Sequence, residues 1–337
     1  MDSEALVKEG LRVPAEVLDA VALAQKFQDP DWTAKGERRA MVALERLTTL
    51  WINTGTLCNI TCRNCYIESS PTNDRLAYMT AAEAITFLDE AKALSETEEI
   101  GFTGGEPFLN PEFLIMLEAA LDRGFSVLVL TNAMLPMQRP HIKAGLLALN
   151  KRFGKQLTLR VSLDHFTQEL HEVERGAATW SKTLEGIDWL AANGVNIAIA
   201  GRTCWHEDDA TARAGYAALI AVHGWSVTPS DRKQLVLLPE MDAGYDGPEI
   251  TTKCWDILHK SPSDMMCASS RMVVKRKGAD RPVVLPCTLL PYDTAFEMGE
   301  TLTEAARADG GMFAIGAVKL CHKNCAKFCV LGGGSCS

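Results

Sequence analysis

Short apolar runs alternate with helical patterns along the middle of the chain. Runs rich in β-branched and aromatic residues predict six strands, at 48–53, 99–103, 126–131, 157–163, 195–200 and 234–239. Amphipathic helical periodicity lies between them, near 80–95, 111–123, 138–152, 181–193 and 207–223, and Thr80 is the expected N-cap of the first helix. This alternation indicates an α/β fold with a parallel sheet. Because a closed barrel of this kind has eight strands, six predict a partial (β/α)6 barrel of the TIM type.

Both ends of the chain depart from this rhythm. Residues 1–46 carry apolar positions at helical spacing, as in Val13–Val21, and predict a cap of two amphipathic helices. After about residue 245 the sequence is punctuated by Cys, Gly and Pro, and the runs 272–277 and 281–285 predict a hairpin. We therefore expect a helical cap at 1–46, a barrel at 47–245 and a small Cys-rich domain at 246–337.

Composition and charge exclude several classes of protein. Hydrophobic residues make up 47% of the chain and charged residues 23%, which is typical of a globular protein. The net charge of −9 argues against nucleic acid as a partner. No apolar run approaches the roughly 18 residues that span a bilayer, and the acidic start Met1-Asp2-Ser3-Glu4 lacks the order of a secretory signal. These features predict a cytoplasmic protein without a membrane partner.

Eleven cysteines are many for a cytoplasmic chain. Since that compartment keeps thiols reduced, metal binding is a better interpretation than disulfides. Cys58, Cys62 and Cys65 form a C-x3-C-x2-C motif directly after the first predicted strand. Three thiolates on one loop suit three irons of a cubane and leave the fourth iron open. The alternatives, a zinc site or a simple electron-transfer cluster, both need a fourth ligand.

The cysteine motif resembles that of the radical S-adenosylmethionine (SAM) superfamily. Four further segments, all at predicted strand ends, are similar to elements of that family: Gly104-Gly105-Glu106-Pro107, Thr131-Asn132, Ser162-Leu163-Asp164 and Arg175-Gly176. The resemblance implies that Glu106 receives the methionine amino group of SAM, that Arg175 holds its carboxylate, and that Ser162 is a further contact. Asn132 and Asp164 are expected to line the same site.

One position departs from the family pattern. Many members carry an aromatic residue just before the last cysteine of the motif, where this chain has Asn64. Tyr66 follows Cys65 and is the aromatic candidate for contact with SAM.

The later cysteines resemble the SPASM or twitch extensions of the same superfamily. Six of them fit the layout, two flanking the predicted hairpin and four downstream: Cys267, Cys287, Cys321, Cys325, Cys329 and Cys336. The downstream spacing, C-x3-C-x3-C-x6-C, differs from the usual SPASM run. We expect at least one auxiliary [4Fe–4S] cluster held by Cys267, Cys287 and two downstream cysteines. Cys254 leaves a second auxiliary cluster open, and zinc remains an alternative.

The resemblance implies an enzyme that cleaves SAM reductively and takes a hydrogen atom from its substrate. It also implies an electron donor, such as a reductase, flavodoxin or ferredoxin. A small molecule is the expected substrate, because residues 1–46 are too short for a winged-helix unit that grips a leader peptide. A maturase of ribosomal peptides and a non-catalytic iron–sulfur or zinc scaffold are the alternatives.

Cys204 is expected to be structural, whereas His165 is a candidate substrate contact or proton carrier.

Overall fold

The structure, a computed structural model, describes residues 26–239 and 246–332. The strands, numbered in chain order, are β1 (Met41–Val42), β2 (Thr49–Asn53), β3 (Glu99–Thr103), β4 (Ser126–Thr131), β5 (Leu157–Ser162), β6 (Asn196–Arg202), β7 (Leu235–Leu238), β8 (Ser270–Val274), β9 (Val283–Leu285), β10 (Phe313–Ala314) and β11 (Ala317–Lys319). The α-helices are α1 (Ala81–Leu94), α2 (Phe113–Asp122), α3 (Leu135–Gln138), α4 (Pro140–Phe153), α5 (Gln168–Arg175), α6 (Trp180–Ala192), α7 (Asp209–His223), α8 (Cys254–Leu258) and α9 (Leu302–Ala305). A π-helix spans Cys325–Leu331. Within these ranges no helix has the length and apolar character that a membrane crossing needs.

One large sheet organises the molecule. Its eight strands lie in the order β7-β6-β5-β4-β3-β2-β8-β9, and β2 to β7 pair in parallel with their sequence neighbours. Each of the strands β2 to β6 is followed by one or two helices of at least eight residues before the next strand begins. The edge strands β7 and β9 do not pair with each other, so the barrel is open over the described residues. The six predicted strands and the parallel order are confirmed.

Local signals in the sequence explain where elements begin and end, as helix α1 shows. The Thr80 side chain accepts a hydrogen bond from the Glu83 amide, and the Glu83 side chain accepts one from the Thr80 amide. This capping box satisfies two amides that a helix start leaves without partners. Ser95 ends the helix in the left-handed conformation, at φ 60°. The helix then buries its apolar face, which includes Phe87 and Leu88, against the sheet.

The interior of the barrel is packed around one large side chain. Trp51 on β2 pairs with Gly101 on β3, so both face the same side of the sheet. A Cβ atom at Gly101 would lie 2.4 Å from the indole ring, which explains why this position is glycine. Leu128 and Met272 pack into the same apolar cluster. The lower part of the barrel is therefore filled, and open space remains towards the carboxyl ends of the strands.

The helical prediction for the N-terminal residues is wrong over 26–46, and the Val13–Val21 segment lies outside the described residues. Residues 26–40 form turns and bridges, and β1 pairs with β11. The Asp29 carboxylate accepts hydrogen bonds from the amides of Asp31 and Trp32 and so closes a turn. The buried Arg39 forms an ion pair with Glu249, 2.6 Å apart. These tertiary contacts outweigh the helical spacing.

The predicted hairpin is confirmed, with Met272 on β8 opposite Leu285 on β9. The sequence did not indicate that β8 also pairs in parallel with β2, with Leu50 beside Arg271. Part of the region after residue 245 therefore extends the barrel sheet. The proposed boundary at 246 remains a prediction.

Candidate active site

A cavity opens at the carboxyl ends of the parallel strands, and we call it the upper cavity. Its empty volume is about 920 Å³, including space open to solvent. Its lining includes seven of the predicted cofactor contacts together with the three motif cysteines: Tyr66, Gly104, Gly105, Asn132, Ser162, Asp164, Arg175, Cys58, Cys62 and Cys65. Predicted residues from five separate segments are thus brought together, as expected for a parallel α/β barrel.

The three motif cysteines lie on the loop after β2. Cys58 is buried, and burial raises the pKa of its thiol to about 12, with the Glu106 carboxylate acting in the same direction. The Cys65 sulfur accepts a hydrogen bond from the Ser69 amide at 3.3 Å. Over the described residues, no three His, Cys, Asp or Glu side chains are arranged to hold a single metal ion. Three thiols that line one cavity suit a cluster, in which each cysteine binds a different iron.

Two glycines let the backbone after β3 pack against the start of the cysteine loop. The Gly105 amide donates to the Gly55 carbonyl oxygen at 2.8 Å. A Cβ atom at Gly105 would lie 2.1 Å from the Leu57 carbonyl oxygen, and one at Gly104 would lie 2.4 Å from that of Gly55. Any larger residue would push the loop away from the barrel. These glycines therefore set the position of Cys58.

Glu106 and Pro107 follow these glycines but do not line the upper cavity. The Glu106 carboxylate accepts hydrogen bonds from the Thr131 hydroxyl at 2.8 Å and the Asn132 amide at 2.9 Å. Complete burial raises the pKa of this carboxyl to about 7, although those hydrogen bonds act to lower it. In this structure Glu106 holds the turn that carries Asn132, and its contact with a methionine amino group stays a prediction.

Two arginines converge on one buried carboxylate at the end of β5. Arg175 Nε lies 2.8 Å from Asp164 Oδ2, and Arg202 Nε lies 3.5 Å from Asp164 Oδ1. Burial opposes ionisation of Asp164, but the two guanidinium groups lower its pKa overall. All three side chains line the upper cavity, which is therefore cationic at this wall. The sequence missed Arg202, because only the register of β6 against β5 places it here.

His165 does not line the upper cavity. It is 2% exposed, and its Nδ1 accepts a hydrogen bond from the Thr167 amide at 3.0 Å. Nε2 then carries the proton and faces the Glu207 carboxylate at 3.2 Å. This pair joins the loops after β5 and β6, so His165 holds these two loops together. Its role as a substrate contact or proton carrier stays untested.

A second cavity, of about 290 Å³, is lined by four cysteines, and we call it the four-cysteine pocket: Cys267, Cys287, Cys325 and Cys329. Burial raises the pKa of Cys267 to about 12 and that of Cys325 well above its ordinary value. Four soft sulfur donors in an apolar pocket fit a fully thiolate-bound centre.

The remaining predicted ligands lie elsewhere. The Cys321 sulfur is 3.3 Å from the Phe27 carbonyl oxygen and 3.4 Å from that of Asp29, and Cys321 does not line the pocket. Cys254 accepts a hydrogen bond from the Thr251 amide at 3.4 Å. Cys336 lies outside the described residues. Sequence spacing alone did not separate Cys321 from the two cysteines of the π-helix.

A groove of about 1210 Å³, including open solvent, borders both cysteine sites. It shares Cys65 and Tyr66 with the upper cavity and Leu290 with the four-cysteine pocket. Charged side chains of both signs line it, including Arg63 and Asp293. A ligand in this groove would therefore lie between the two sites.

The fold and the cavities define a parallel α/β barrel with a thiol-lined site at its open end. Residues 52–209 match the model of the Radical SAM superfamily. Its members bind a [4Fe–4S] cluster and SAM. The three sulfurs that line the upper cavity, its cationic wall and its volume fit both groups.

Two curated relatives match part of the chain. The antilisterial bacteriocin subtilosin biosynthesis protein AlbA of Bacillus subtilis (strain 168) is 28% identical over 146 residues, covering 42% of this chain and 30% of the relative. The S-adenosylmethionine-dependent nucleotide dehydratase of Selenomonas ruminantium is 31% identical over 107 residues, covering 32% of this chain and 35% of the relative. The chain thus matches about a third of the length of these relatives.

Solved structures share the fold. Streptococcus suis SuiB bound to S-adenosylmethionine aligns with a TM-score of 0.58 at 13% identity, covering 79% of this chain and 66% of SuiB. The structure of anSMEcpe with bound AdoMet aligns with a TM-score of 0.55 at 16% identity, covering 78% of this chain and 81% of the other. At these identities the comparison shows the fold alone.

Proposed function

We propose that this chain is a radical SAM enzyme whose first [4Fe–4S] cluster is held by Cys58, Cys62 and Cys65. The observation that supports this most strongly is the shared lining of the upper cavity, where three thiols meet the residues expected to bind SAM. When bound and reduced, the cluster supplies one electron that cleaves SAM to methionine and a 5′-deoxyadenosyl radical, which takes a hydrogen atom from the substrate.

The chain's own residues bind and orient these groups. Arg175, with Ser162 on the same wall, is proposed to hold the methionine carboxylate through a charge-assisted hydrogen bond. Tyr66 is proposed to contact the adenosyl group, and its hydroxyl lies within hydrogen-bonding distance of the Thr103 hydroxyl. A flavodoxin or ferredoxin is the class of donor that would supply the electron.

We further propose that the four-cysteine pocket holds an auxiliary [4Fe–4S] cluster in a SPASM- or twitch-like domain. Its four thiolates leave no iron open, so this cluster would transfer electrons and would not bind substrate. The auxiliary cluster would act as an electron acceptor on the far side of the groove. This suits a net oxidation or bond formation, because the substrate radical must lose one more electron.

A peptide is the substrate class that the groove favours. The groove shares lining residues with both cysteine sites and carries charges of both signs, which suits an extended chain with one side chain entering the upper cavity. AlbA is named for bacteriocin biosynthesis, and SuiB has been solved with the precursor peptide SuiA. A small molecule is the second candidate, because the other relative is a nucleotide dehydratase.

Incubation with peptides encoded beside the gene and with nucleotides, followed by mass spectrometry, distinguishes the two substrate classes. A modified peptide supports a peptide substrate. Unchanged peptides together with a modified nucleotide support a small-molecule substrate.

Anaerobic reconstitution followed by dithionite and SAM tests the enzymatic activity itself. We expect 5′-deoxyadenosine from the unaltered chain and none from Cys62→Ala. Cys204→Ala is the matched control, because Cys204 does not line the upper cavity, and it should retain activity. Product formation that survives in Cys62→Ala would overturn the proposal.

A further inference from the structure

Arg271 is a buried cation beside the four-cysteine pocket. Its side chain is 1% exposed, at the second position of β8. Nη1 donates to the carbonyl oxygens of Cys267 and Ser270, each at 2.7 Å, and Nη2 donates to that of Gly316 at 3.2 Å. The guanidinium therefore lies directly against the backbone of one pocket cysteine.

No carboxylate among the described residues forms an ion pair with this guanidinium. The acceptors are main-chain carbonyl groups, and Nε has no partner within the described ranges. The buried Arg39, in contrast, is paired with Glu249. An unpaired buried charge costs several kcal/mol, so a structure that retains one normally supplies an opposite charge nearby.

The Arg271 guanidinium binds the Cys267 carbonyl oxygen, and the lining of the four-cysteine pocket includes Cys267 and Cys287. A cubane held by four thiolates is anionic as a whole, because the thiolates outweigh the charge of the core. Such a centre would provide the counter-charge that the protein side chains do not.

We propose that Arg271 is the counter-ion of the metal centre in the four-cysteine pocket and holds its reduction potential above the value the pocket alone would give. This inference rests on the proposed auxiliary cluster. A fixed positive charge stabilises the reduced form of a centre, which carries one more negative charge than the oxidised form. Arg271 acts on the cluster through its charge and touches no substrate, so it is a positioning residue.

Two variants of the full-length, cluster-loaded protein separate charge from shape. Arg271→Gln removes the charge and keeps amide donors for the carbonyl groups, whereas Arg271→Lys keeps the charge. Potentiometric titration followed by EPR gives the midpoint of each cluster, and the signal that changes on adding SAM identifies the first cluster. We expect Arg271→Gln to shift the auxiliary midpoint to more negative potential and to speed iron loss to a chelator. Arg271→Lys should restore most of both values, and the first cluster should not shift.

The outcomes distinguish this inference from the proposed auxiliary cluster. Iron at only about four per chain in the unaltered protein, with zinc in the pocket, would remove the cluster and the inference together. A second cluster that is present and keeps its midpoint in Arg271→Gln would overturn the inference alone. If Arg271→Gln does not assemble the auxiliary cluster, Arg271→Lys is the deciding variant. An auxiliary midpoint that is retained in Arg271→Lys supports a role for the charge. Loss of the auxiliary iron from both variants shows a purely structural role.

Discussion

The side-chain amide of Asn64 donates to both carboxylate oxygens of Glu174, at 2.8 and 2.9 Å, and ties the cysteine loop to helix α5. The Arg63 amide donates to the Glu174 carbonyl oxygen at 2.8 Å. Arg202 Nη2 donates to the Asn64 carbonyl oxygen at 2.7 Å. The residue before Cys65, aromatic in many members of the superfamily, therefore anchors the loop here.

Removing this anchor should loosen the first cluster. Hydrogen bonds to a charged group contribute about 1.5–3 kcal/mol, so Asn64→Ala should weaken retention of the cluster by roughly tenfold or more and lower 5′-deoxyadenosine formation with the iron that is lost. Iron content and product rate of the reconstituted protein check this. Glu174→Gln keeps one acceptor oxygen and should have a smaller effect. Equal rates for Asn64→Ala and the unaltered protein would show that the loop holds its place without the anchor.

Gly105→Ala should displace the cysteine loop. The added Cβ would overlap the Leu57 carbonyl group, at 2.1 Å from oxygen, and we expect a cost above about 3 kcal/mol together with loss of iron. Gly224→Ala is a useful comparison, because its Cβ meets no atom within 4 Å and only its left-handed conformation, with φ at 67°, opposes alanine. That variant should cost about 1–2 kcal/mol and keep its iron. Thermal denaturation and iron analysis would measure both, and similar results for the two glycines would contradict this account.

Single substitutions should separate the pocket cysteines from Cys321. Cys325→Ala removes a thiol that lines the four-cysteine pocket, so we expect the iron above about four per chain to be lost. Cys321→Ala should keep that iron, because the Cys321 thiol faces main-chain carbonyl groups. Iron and sulfide analysis decides the matter. If Cys325→Ala retained this iron and Cys321→Ala lost it, Cys321 and not Cys325 would be the cluster ligand.

His171 should make the protein sensitive to acid. The ring is fully buried, and neither nitrogen has a partner among the described residues. Burial, with Arg175 acting in the same direction, lowers its pKa from 6.5 to about 4. The unfolded chain therefore takes up a proton between these values that the folded chain does not, and stability falls as pH drops through this window.

His171→Phe removes this proton uptake and keeps an aromatic ring next to Trp180. The difference between the two proteins should favour the variant by up to about 3 kcal/mol as pH falls from 7.5 towards 4. Denaturant unfolding at several pH values measures it. Parallel stability curves for the two proteins would show that another group carries the acid sensitivity.

Local patterns in the sequence were sufficient for the strand order of the barrel and for half of the residues that line the upper cavity. Strand β3 and the N-cap at Thr80 were predicted at the observed residues, because both depend on neighbours in the chain. Cys58 and Arg175 were found through motifs that sit at strand or helix ends. Contacts between distant segments were not accessible: the bond between Arg202 and Asn64 spans 138 positions.

The same limit explains the other differences. The segment around Arg39 has helical spacing, but its ion pair with Glu249 joins residues 210 positions apart. Arg271 was not singled out because nothing in its neighbours along the chain indicates that it is buried. Likewise, the fold at the C-terminus, and not the spacing, separates Cys321 from Cys325.

The most direct measurement is an EPR titration of the reduced, reconstituted protein with SAM. A cubane bound by Cys58, Cys62 and Cys65 has one iron without a protein ligand, so SAM should change the signal of that cluster and 5′-deoxyadenosine should form. A signal that stays unchanged at saturating SAM, with no adenosyl product, would contradict the central claim.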